Sequence, residues 1–224
     1  MSFKDTDALF GTEKVGDYHK ILKKRYDAGE KSVEILWRLC KCCYEIGTRA
    51  PKGQRKAIIA EGRSYGEEAV KIDDKDFNGL KWAAIMTGQY TNYLGTKEKI
   101  ETGCRFKVLL DKAIAIQKDY TCYHLRGRLA YSVATLSWLE KKLAAIVFAK
   151  PPEATMDEAL ADFIECYSLQ AQWHENLVYL GKAYLALKDK ENARRFFQEA
   201  IAAEVKTEND AEYVAEAKAL LAKC

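Results

Sequence analysis

Apolar and small residues near the C-terminus recur every three or four positions, a spacing that predicts amphipathic helices. Two such sets follow one another, separated by a short polar segment, and they predict two helices packed side by side. The first set is Leu177, Leu180, Gly181 and Tyr184, and the second is Ala193, Phe197 and Ala200. The small residues would let the two helices approach closely, while the aromatic rings would fill the space between neighbouring helices.

These offsets match the tetratricopeptide pattern, a repeat of about 34 residues built from two antiparallel helices. The polar segment covers residues 188–191, where we expect the Asp189 carboxylate to cap the second helix. Three weaker copies of the second-helix pattern lie upstream. They are Gly62, Gly66 and Ala69; Phe106, Leu110 and Ala113; and Ala159, Phe163 and Cys166.

We therefore expect an all-α, tetratricopeptide-like helical solenoid of about four helix pairs, with insertions and a C-terminal capping helix. The predicted organisation has three parts. They are an N-terminal basic segment and helix (1–30), repeats over 31–209 (about 31–76, 77–119, 120–172 and 173–209), and the capping helix (210–224). In the opening helix, Tyr18–Tyr26, we expect Ile21 and Leu22 to point inward.

The upstream repeats contain more residues than the pattern requires. In the first repeat, the extra residues 47–53 include two glycines and a proline and predict a turn-rich loop carrying Arg49 and Lys52. In the third repeat, the apolar spacing over 134–148 predicts an extended or additional helix that ends at Pro151-Pro152. Directly afterwards, Thr155 and Glu158 have the spacing of a capping box, which predicts the start of a new helix.

Charge changes this picture at the N-terminal end. Residues 1–63 carry fourteen Lys or Arg and nine Asp or Glu, within a chain of net charge +3. A modest excess of this kind favours an acidic partner surface but is weaker than expected of a dedicated nucleic-acid binder, so we expect no nucleic acid. A merely solvated face is the alternative that charge alone leaves open. The candidate basic residues are Lys20, Lys23, Lys24, Arg25, Arg49, Lys52, Arg55 and Lys56.

Cysteine usage and apolar runs bear on location. Seven cysteines form an odd set without the spacing of a small disulfide scaffold, and residues 1–10 lack the apolar core of a secretory signal. The longest apolar run, Leu143–Ala149, is far shorter than the ~20 residues that a bilayer span needs. We expect a soluble, cytoplasmic chain without a membrane span.

No arrangement of residues in the sequence predicts catalysis. Cys40 and Cys43 have Cys-x-x-Cys spacing, but no second pair completes a zinc site, and the three histidines are scattered. No nucleophile, base and orienting group can be named together. We expect no metal, no cofactor and no enzyme, with a cysteine-dependent enzyme or metalloprotein as the minority alternative.

A solenoid of helix pairs presents a concave face lined by its first helices, and this face is a second candidate binding site. Its basic side chains would hold carboxylates or phosphates, and its tyrosines would supply flat apolar contact. This would suit an adaptor that binds an acidic peptide or a phospholipid headgroup; ordinary polar surface residues are the alternative. The candidate groove residues are Arg38, Tyr90, His124, Arg128, Tyr131 and Lys182.

Three stretches of the sequence also carry a family resemblance. They are SWLEKKLAAIVFAKPPEATMDEAL (Ser137 to Leu160), KEKIETGCRFKVLLDKAI (Lys97 to Ile114) and LWRLCKCCYE (Leu36 to Glu45). With them the chain resembles the regulators of microtubule dynamics, a similarity that extends from about residue 15 to about residue 215.

This resemblance implies a tetratricopeptide-like helical domain that binds tubulin and microtubules without enzymatic activity. It implies a cytoskeletal location, at the spindle and spindle poles, and a role in chromosome segregation. Some members of the family carry an N-terminal membrane anchor, which we do not find in this sequence, so we expect a short soluble member. The matching motifs are structural repeat positions, so no individual microtubule-binding residue is carried over.

Overall fold

The computed structural model describes residues 3–137, 141–142 and 153–224, and nearly all of their regular structure is α-helix. No strand occurs within these ranges. The chain divides into two compact units, Met1–Gln117 and Lys118–Cys224. This architecture confirms the all-α prediction.

The N-terminal unit consists of a short opening turn, one single helix and two helix pairs. Its helices are α1 (Phe3–Thr6), α2 (Val15–Asp27), α3 (Val33–Arg49), α4 (Lys52–Ile72), α5 (Phe77–Tyr90) and α6 (Thr96–Ile116). Single 3₁₀ turns follow α1 and α5, at Asp7–Leu9 and Thr91–Tyr93. Helices α3 and α4 pack together, as do α5 and α6, and α2 packs on α3.

The C-terminal unit also contains two helix pairs, followed here by a single final helix. Its described helices are α7 (Tyr120–Ala134), α8 (Met156–Leu169), α9 (His174–Ala186), α10 (Lys190–Ala202) and α11 (Glu208–Leu221). Helices α7 and α8 form one pair and α9 and α10 the next, and α11 covers α10 and α9. The predicted four helix pairs and C-terminal capping helix are therefore present.

Helix ends in this unit follow the predicted capping chemistry. The Thr155 hydroxyl accepts from the Glu158 amide while the Glu158 carboxylate accepts from the Thr155 amide, which is the capping box expected at the start of α8. The Asp189 carboxylate accepts from the Asn192 amide at the start of α10, also as predicted. The helix predicted within residues 134–148 and its end at Pro151-Pro152 fall largely outside the described residues.

The predicted loop at residues 47–53 is wrong. Helix α3 continues to Arg49 and α4 begins at Lys52, so only Ala50 and Pro51 join them. The extra residues lengthen the helices to 17 and 21 residues instead of forming a loop. Gly47, in the last turns of α3, lies close to α4, and a Cβ there would be 2.9 Å from Cδ1 of Ile59.

The inward stripe of α2 also differs from the prediction. Val15, Tyr18 and Leu22 are buried at spacings of three and four, whereas Ile21 is 42% exposed. Tyr18 belongs to the core because its hydroxyl finds a partner, donating to Asp7 Oδ1 at 2.8 Å. Tyr18, whose hydroxyl is hydrogen-bonded, is thus buried, whereas hydrophobicity alone predicted that Ile21 would be.

Glycine–phenylalanine contacts set the register of the helix pairs. A Cβ on Gly127 would lie 2.8 Å from the ring of Phe163, and one on Gly88 would lie 3.0 Å from the ring of Phe106. Gly181 faces Phe197 in the same way. The residues predicted for the second helix of the second repeat, Phe106, Leu110 and Ala113, are all buried, with the same spacing as Ala193, Phe197 and Ala200.

Candidate binding surfaces

Tyr179 lies at the centre of a cluster of polar and aromatic side chains in the C-terminal unit. The Arg128 guanidinium carbon lies 5.0 Å from the centre of its ring, and the Lys182 ammonium lies 4.6 Å from it. Tyr131 meets the same ring edge to face, with centroids 5.7 Å apart. We call this group, completed by Glu175, Tyr213 and Glu216, the Tyr179 cluster.

Helical periodicity builds this cluster. On α9, Glu175, Tyr179 and Lys182 stand at positions i, i+4 and i+7, so they share one face of the helix. On α7, Arg128 and Tyr131 follow His124 with the same spacing. The predicted groove residues of this unit thus come together around a tyrosine that the sequence analysis did not single out. The repeated i, i+4, i+7 spacing is the signal that could have identified it.

Both cations of the Tyr179 cluster already have carboxylate partners. Arg128 Nη1 lies 2.5 Å from Glu175 Oε1, and Lys182 Nζ lies 2.5 Å from Glu216 Oε1. Burial by itself would raise the pKa of Glu175, but the neighbouring His124 and Arg128 and the Tyr213 hydroxyl lower it to about 2. An acidic ligand must therefore displace or rearrange these carboxylates.

His124 is enclosed and does not line an open groove, contrary to its predicted position. Its Nδ1 donates to Asn176 Oδ1 at 2.9 Å, and the Asn176 amide donates in turn to the Phe163 carbonyl. The imidazole also packs against the Trp173 ring, with centroids 4.3 Å apart. Its exposed fraction is 0%, so the residue holds α7 against α8 and α9 and is not available to a ligand.

Arg38 belongs to the N-terminal unit, where the opening segment occupies it. Its guanidinium binds Asp7 through two hydrogen bonds, Nε to Oδ1 at 2.7 Å and Nη2 to Oδ2 at 2.8 Å. It also binds Glu34 and lies between the rings of Phe3 and Trp37, 4.1 Å from each. Burial would raise the pKa of Asp7, yet Arg38 and Tyr18 lower it. Arg38 is therefore a structural anchor for residues 3–10.

Tyr90, the remaining predicted groove residue, is half-buried at the end of α5. The Arg63 guanidinium carbon lies 5.0 Å from the centre of its ring. Tyr93 lies beside it, with ring centroids 6.4 Å apart. The sequence-predicted groove residues therefore divide between the two units, and the Tyr179 cluster unites only those of the C-terminal one.

The basic surface, defined by Lys20, Lys23, Lys24, Arg25, Arg49, Lys52, Arg55 and Lys56, contains two kinds of cation. Four of them are within ion-pair distance of acidic side chains. The pairs are Lys20–Asp17, Lys23–Asp27, Arg25–Glu30 and Arg49–Glu45, with N–O distances of 3.1, 3.0, 2.5 and 3.9 Å. Lys24, Lys52, Arg55 and Lys56 have no carboxylate partner among the described residues.

Three of the cations without a carboxylate partner lie where a helix least favours positive charge, although Arg55 Nε donates to the Ala50 carbonyl at 2.7 Å. Lys52, Arg55 and Lys56 are exposed in the first two turns of α4, and the first turn contains no acidic residue. The helix dipole gives this end a partial positive charge, which cations there reinforce. Arg49 donates to the Thr12 carbonyl at 2.7 Å, which places the α3–α4 turn next to the segment preceding α2. This end of the N-terminal unit is thus suited to an anionic partner.

The cysteines of α3 are directed to different neighbours. Cys40 Sγ donates to the Trp82 carbonyl at 3.3 Å, whereas Cys43 Sγ lies 3.7 Å from His19 Nε2. Burial raises the pKa of both thiols.

Among the described helices, none is both long enough and apolar enough to cross a bilayer.

Comparison with known proteins agrees with the repeat pattern. A thermophilic TPR protein of Thermus thermophilus has a TM-score of 0.61 at 12% identity, with 92% of this chain and 91% of that chain covered. A crystal structure of MamA has a TM-score of 0.57 at 15% identity, with 100% and 99% covered. These likenesses show a tetratricopeptide-like helical repeat fold.

The sequence relatives share one name. A regulator of microtubule dynamics protein 1 from Caenorhabditis elegans is 43% identical over 224 residues, which is 100% of this chain and 99% of the relative. A regulator of microtubule dynamics protein 3 from Xenopus laevis is 34% identical over 74% of this chain, a match that covers only 36% of that relative. The family model described as regulator of microtubule dynamics protein 1-3 matches residues 2–224. The chain therefore belongs to the regulator of microtubule dynamics family.

Proposed function

We propose that this chain binds microtubules directly, without catalysing a reaction, and regulates their dynamics through the basic surface of its N-terminal unit. One observation carries the proposal: Lys52, Arg55 and Lys56 stand without carboxylate partners among the described residues, at the positive end of the α4 dipole. This arrangement is unfavourable for the isolated helix, and such local conflicts are expected at functional sites. Tubulin exposes acidic tails, which supply the complementary charge.

The expected affinity is a sum of weak contacts. Each exposed ion pair contributes only ~0.2–1 kcal/mol, so several cations must act together. A filament presents many copies of the same acidic segment, and this repetition adds avidity. The proposed location is the cytoplasm and the cytoskeleton, with action at the spindle and spindle poles during chromosome segregation.

Co-sedimentation with polymerised tubulin tests this proposal. The test variant reverses the charge of Lys24, Lys52 and Lys56 by substitution with Glu. Carboxylates at positions 52 and 56 interact favourably with the helix dipole at the start of α4, which offsets the unfavourable carboxylate at position 24 in the last turn of α2. The variant should therefore fold about as well as the wild type. We expect binding to weaken by at least about tenfold, since the loss of three contacts of ~0.5 kcal/mol each amounts to ~1.5 kcal/mol before any repulsion from the introduced carboxylates.

A matched control separates this surface from net charge. The control variant substitutes Glu for the exposed residues Lys188, Lys206 and Lys223 of the C-terminal unit and has the same net charge as the test variant. It should co-sediment like the wild type. If the test variant binds as tightly as the wild type, the basic surface does not bind microtubules.

A second candidate function is an adaptor whose groove, at the Tyr179 cluster, binds an acidic peptide or a phospholipid headgroup. It is favoured by the placement of Arg128 and Lys182 over one tyrosine ring, a pairing of cations with an aromatic platform. Titration with a Glu-rich peptide, followed by fluorescence anisotropy, and native mass spectrometry for bound phospholipid test it. Lys182→Ala should abolish such binding while microtubule co-sedimentation persists. Unchanged ligand binding in this variant would contradict a ligand site at the Tyr179 cluster.

A further inference from the structure

Three ligand-type side chains from three helices meet in the N-terminal unit. They are His19 on α2, Cys43 on α3 and Glu61 on α4. Their nearest ligand atoms all lie within 4.8 Å of one another, and His19 Nε2 is 3.7 Å from Cys43 Sγ. Within the part of the chain that the structure describes, no other set of three such side chains comes this close.

We propose that His19, Cys43 and Glu61 form a binding site for Zn²⁺, with water as the fourth ligand. Nitrogen, sulfur and carboxylate oxygen are the donors that zinc takes in proteins, and it prefers a tetrahedral arrangement. Bonds of about 2.1 Å to nitrogen and about 2.3 Å to sulfur at a tetrahedral angle place these two atoms roughly 3.6 Å apart. The observed distance of 3.7 Å already matches this value.

The charges of the three ligands suit a divalent cation. One thiolate and one carboxylate neutralise Zn²⁺, so the occupied site would carry no net charge in its half-buried position. Burial lowers the pKa of His19, which keeps its imidazole neutral and able to coordinate. Burial also raises the pKa of Cys43, so zinc must displace the thiol proton, which passes to the solvent.

The surroundings orient the carboxylate and leave a path for the ion. The Tyr65 hydroxyl donates to Glu61 Oε1 at 2.7 Å, and this hydrogen bond leaves the other oxygen for the metal. Cys43 is buried, His19 is half-buried and Glu61 is exposed, so the ion enters from the Glu61 side. Once bound, it would fasten α2 to the α3–α4 pair. The zinc-site proposal does not rest on microtubule binding, so an experiment can contradict either proposal without affecting the other.

Metal titration of the full chain after chelator treatment tests the site. Zn²⁺ should bind with one-to-one stoichiometry in competition with a chromophoric chelator and should raise the midpoint of thermal unfolding. Co²⁺ is the spectroscopic probe, because a sulfur-to-cobalt charge-transfer band reports thiolate ligation. Cys43→Ser should remove this band, and Glu61→Gln should weaken Zn²⁺ binding while leaving the fold intact, since its side chain is exposed.

Two further variants decide between a built site and chance proximity. Tyr65→Phe removes only the hydrogen bond to Glu61 and should weaken Zn²⁺ binding about 10–100-fold, as loss of such a supporting group does elsewhere. Cys104→Ser removes an exposed thiol that is not part of the grouping and should leave both the band and the affinity unchanged. Absence of one-to-one binding, or a cobalt band that survives Cys43→Ser, would overturn the proposal.

Discussion

Gly181 lies directly against the ring of Phe197, so that a Cβ on Gly181 would come within 2.6 Å of the Phe197 Cδ1 atom. The same contact joins Gly127 to Phe163 in the preceding helix pair. In each pair the glycine lets the first helix approach the second until an aromatic ring fills the gap completely. The glycine of the first helix and the phenylalanine of the second are therefore the repeat residues at which the two helices of a pair come closest.

Gly181→Ala should destabilise the C-terminal unit. Alanine favours a helix over glycine by about 1 kcal/mol, but overpacking against the Phe197 ring costs about 1–3 kcal/mol, so we expect a net loss of roughly 1 kcal/mol. Urea denaturation measures it. Gly53→Ala is the control, because a Cβ there meets nothing within 4 Å and the helix should gain stability. Equal gains in both variants would contradict the packing account.

The sequence predicted the helix pairs because the spacing of small and aromatic residues reports their contact faces. It misplaced residues 47–53 because two extra turns of helix and a seven-residue loop add similar numbers of residues. Gly47 and Pro51 are typical of turns, but Gly47 lies within α3, and only Ala50 and Pro51 join α3 to α4. Local composition does not contain that information.

The binding surfaces were predictable to different degrees. The cations of the basic surface were evident as a local excess of charge, but which of them lack carboxylate partners depends on side-chain geometry. Tyr179 was missed because it looks like an ordinary half-buried helix residue until Arg128, Tyr131 and Lys182 surround it. The grouping of His19, Cys43 and Glu61 joins three helices, so no sequence spacing encodes it.

Glu175→Gln should make the stability of the C-terminal unit less dependent on acid pH. The pKa of Glu175 is about 2 in the folded protein, below the ordinary value of 4.5 for a glutamate, so its ionised form stabilises the fold above pH ~4.5. This contribution, about 3 kcal/mol at pH 7, is lost as the pH falls toward 2. The side chain is only 14% exposed, so solvent screening is limited.

Urea denaturation at pH 7 and pH 3 measures this effect. The difference in free energy of unfolding between wild type and Glu175→Gln should shrink by more than half at the lower pH. Glu216→Gln is the control, since its pair with Lys182 is more exposed and should contribute less than about 1 kcal/mol. A difference that does not change with pH would contradict the role assigned to the Glu175 carboxylate.

Thiol reactivity should follow burial. Of the seven cysteines, Cys104 is exposed and Cys224 partly exposed, while the others are buried. Burial raises the pKa of Cys42 and Cys166 to about 12, so these remain protonated and unreactive near neutral pH. A thiol-reactive chromogenic reagent should label Cys104 first and Cys224 more slowly.

The remaining thiols should react only after denaturation. Cys104→Ser should remove the fast phase of labelling and leave the fold unchanged. Two or more fast thiols in the native wild type, or a fast phase that survives Cys104→Ser, would show that the helix pairs of the N-terminal or C-terminal unit are not packed as described.

Microtubule co-sedimentation across a series of salt concentrations tests the central claim most directly. Attraction between exposed charges is screened beyond about 10 Å at 0.1 M salt, so the affinity of the wild type should fall steadily as salt is added. The variant with Glu at Lys24, Lys52 and Lys56 should bind more weakly at low salt and respond less to added salt. Affinity independent of salt, or an identical salt response in this variant and the wild type, would contradict binding through the basic surface.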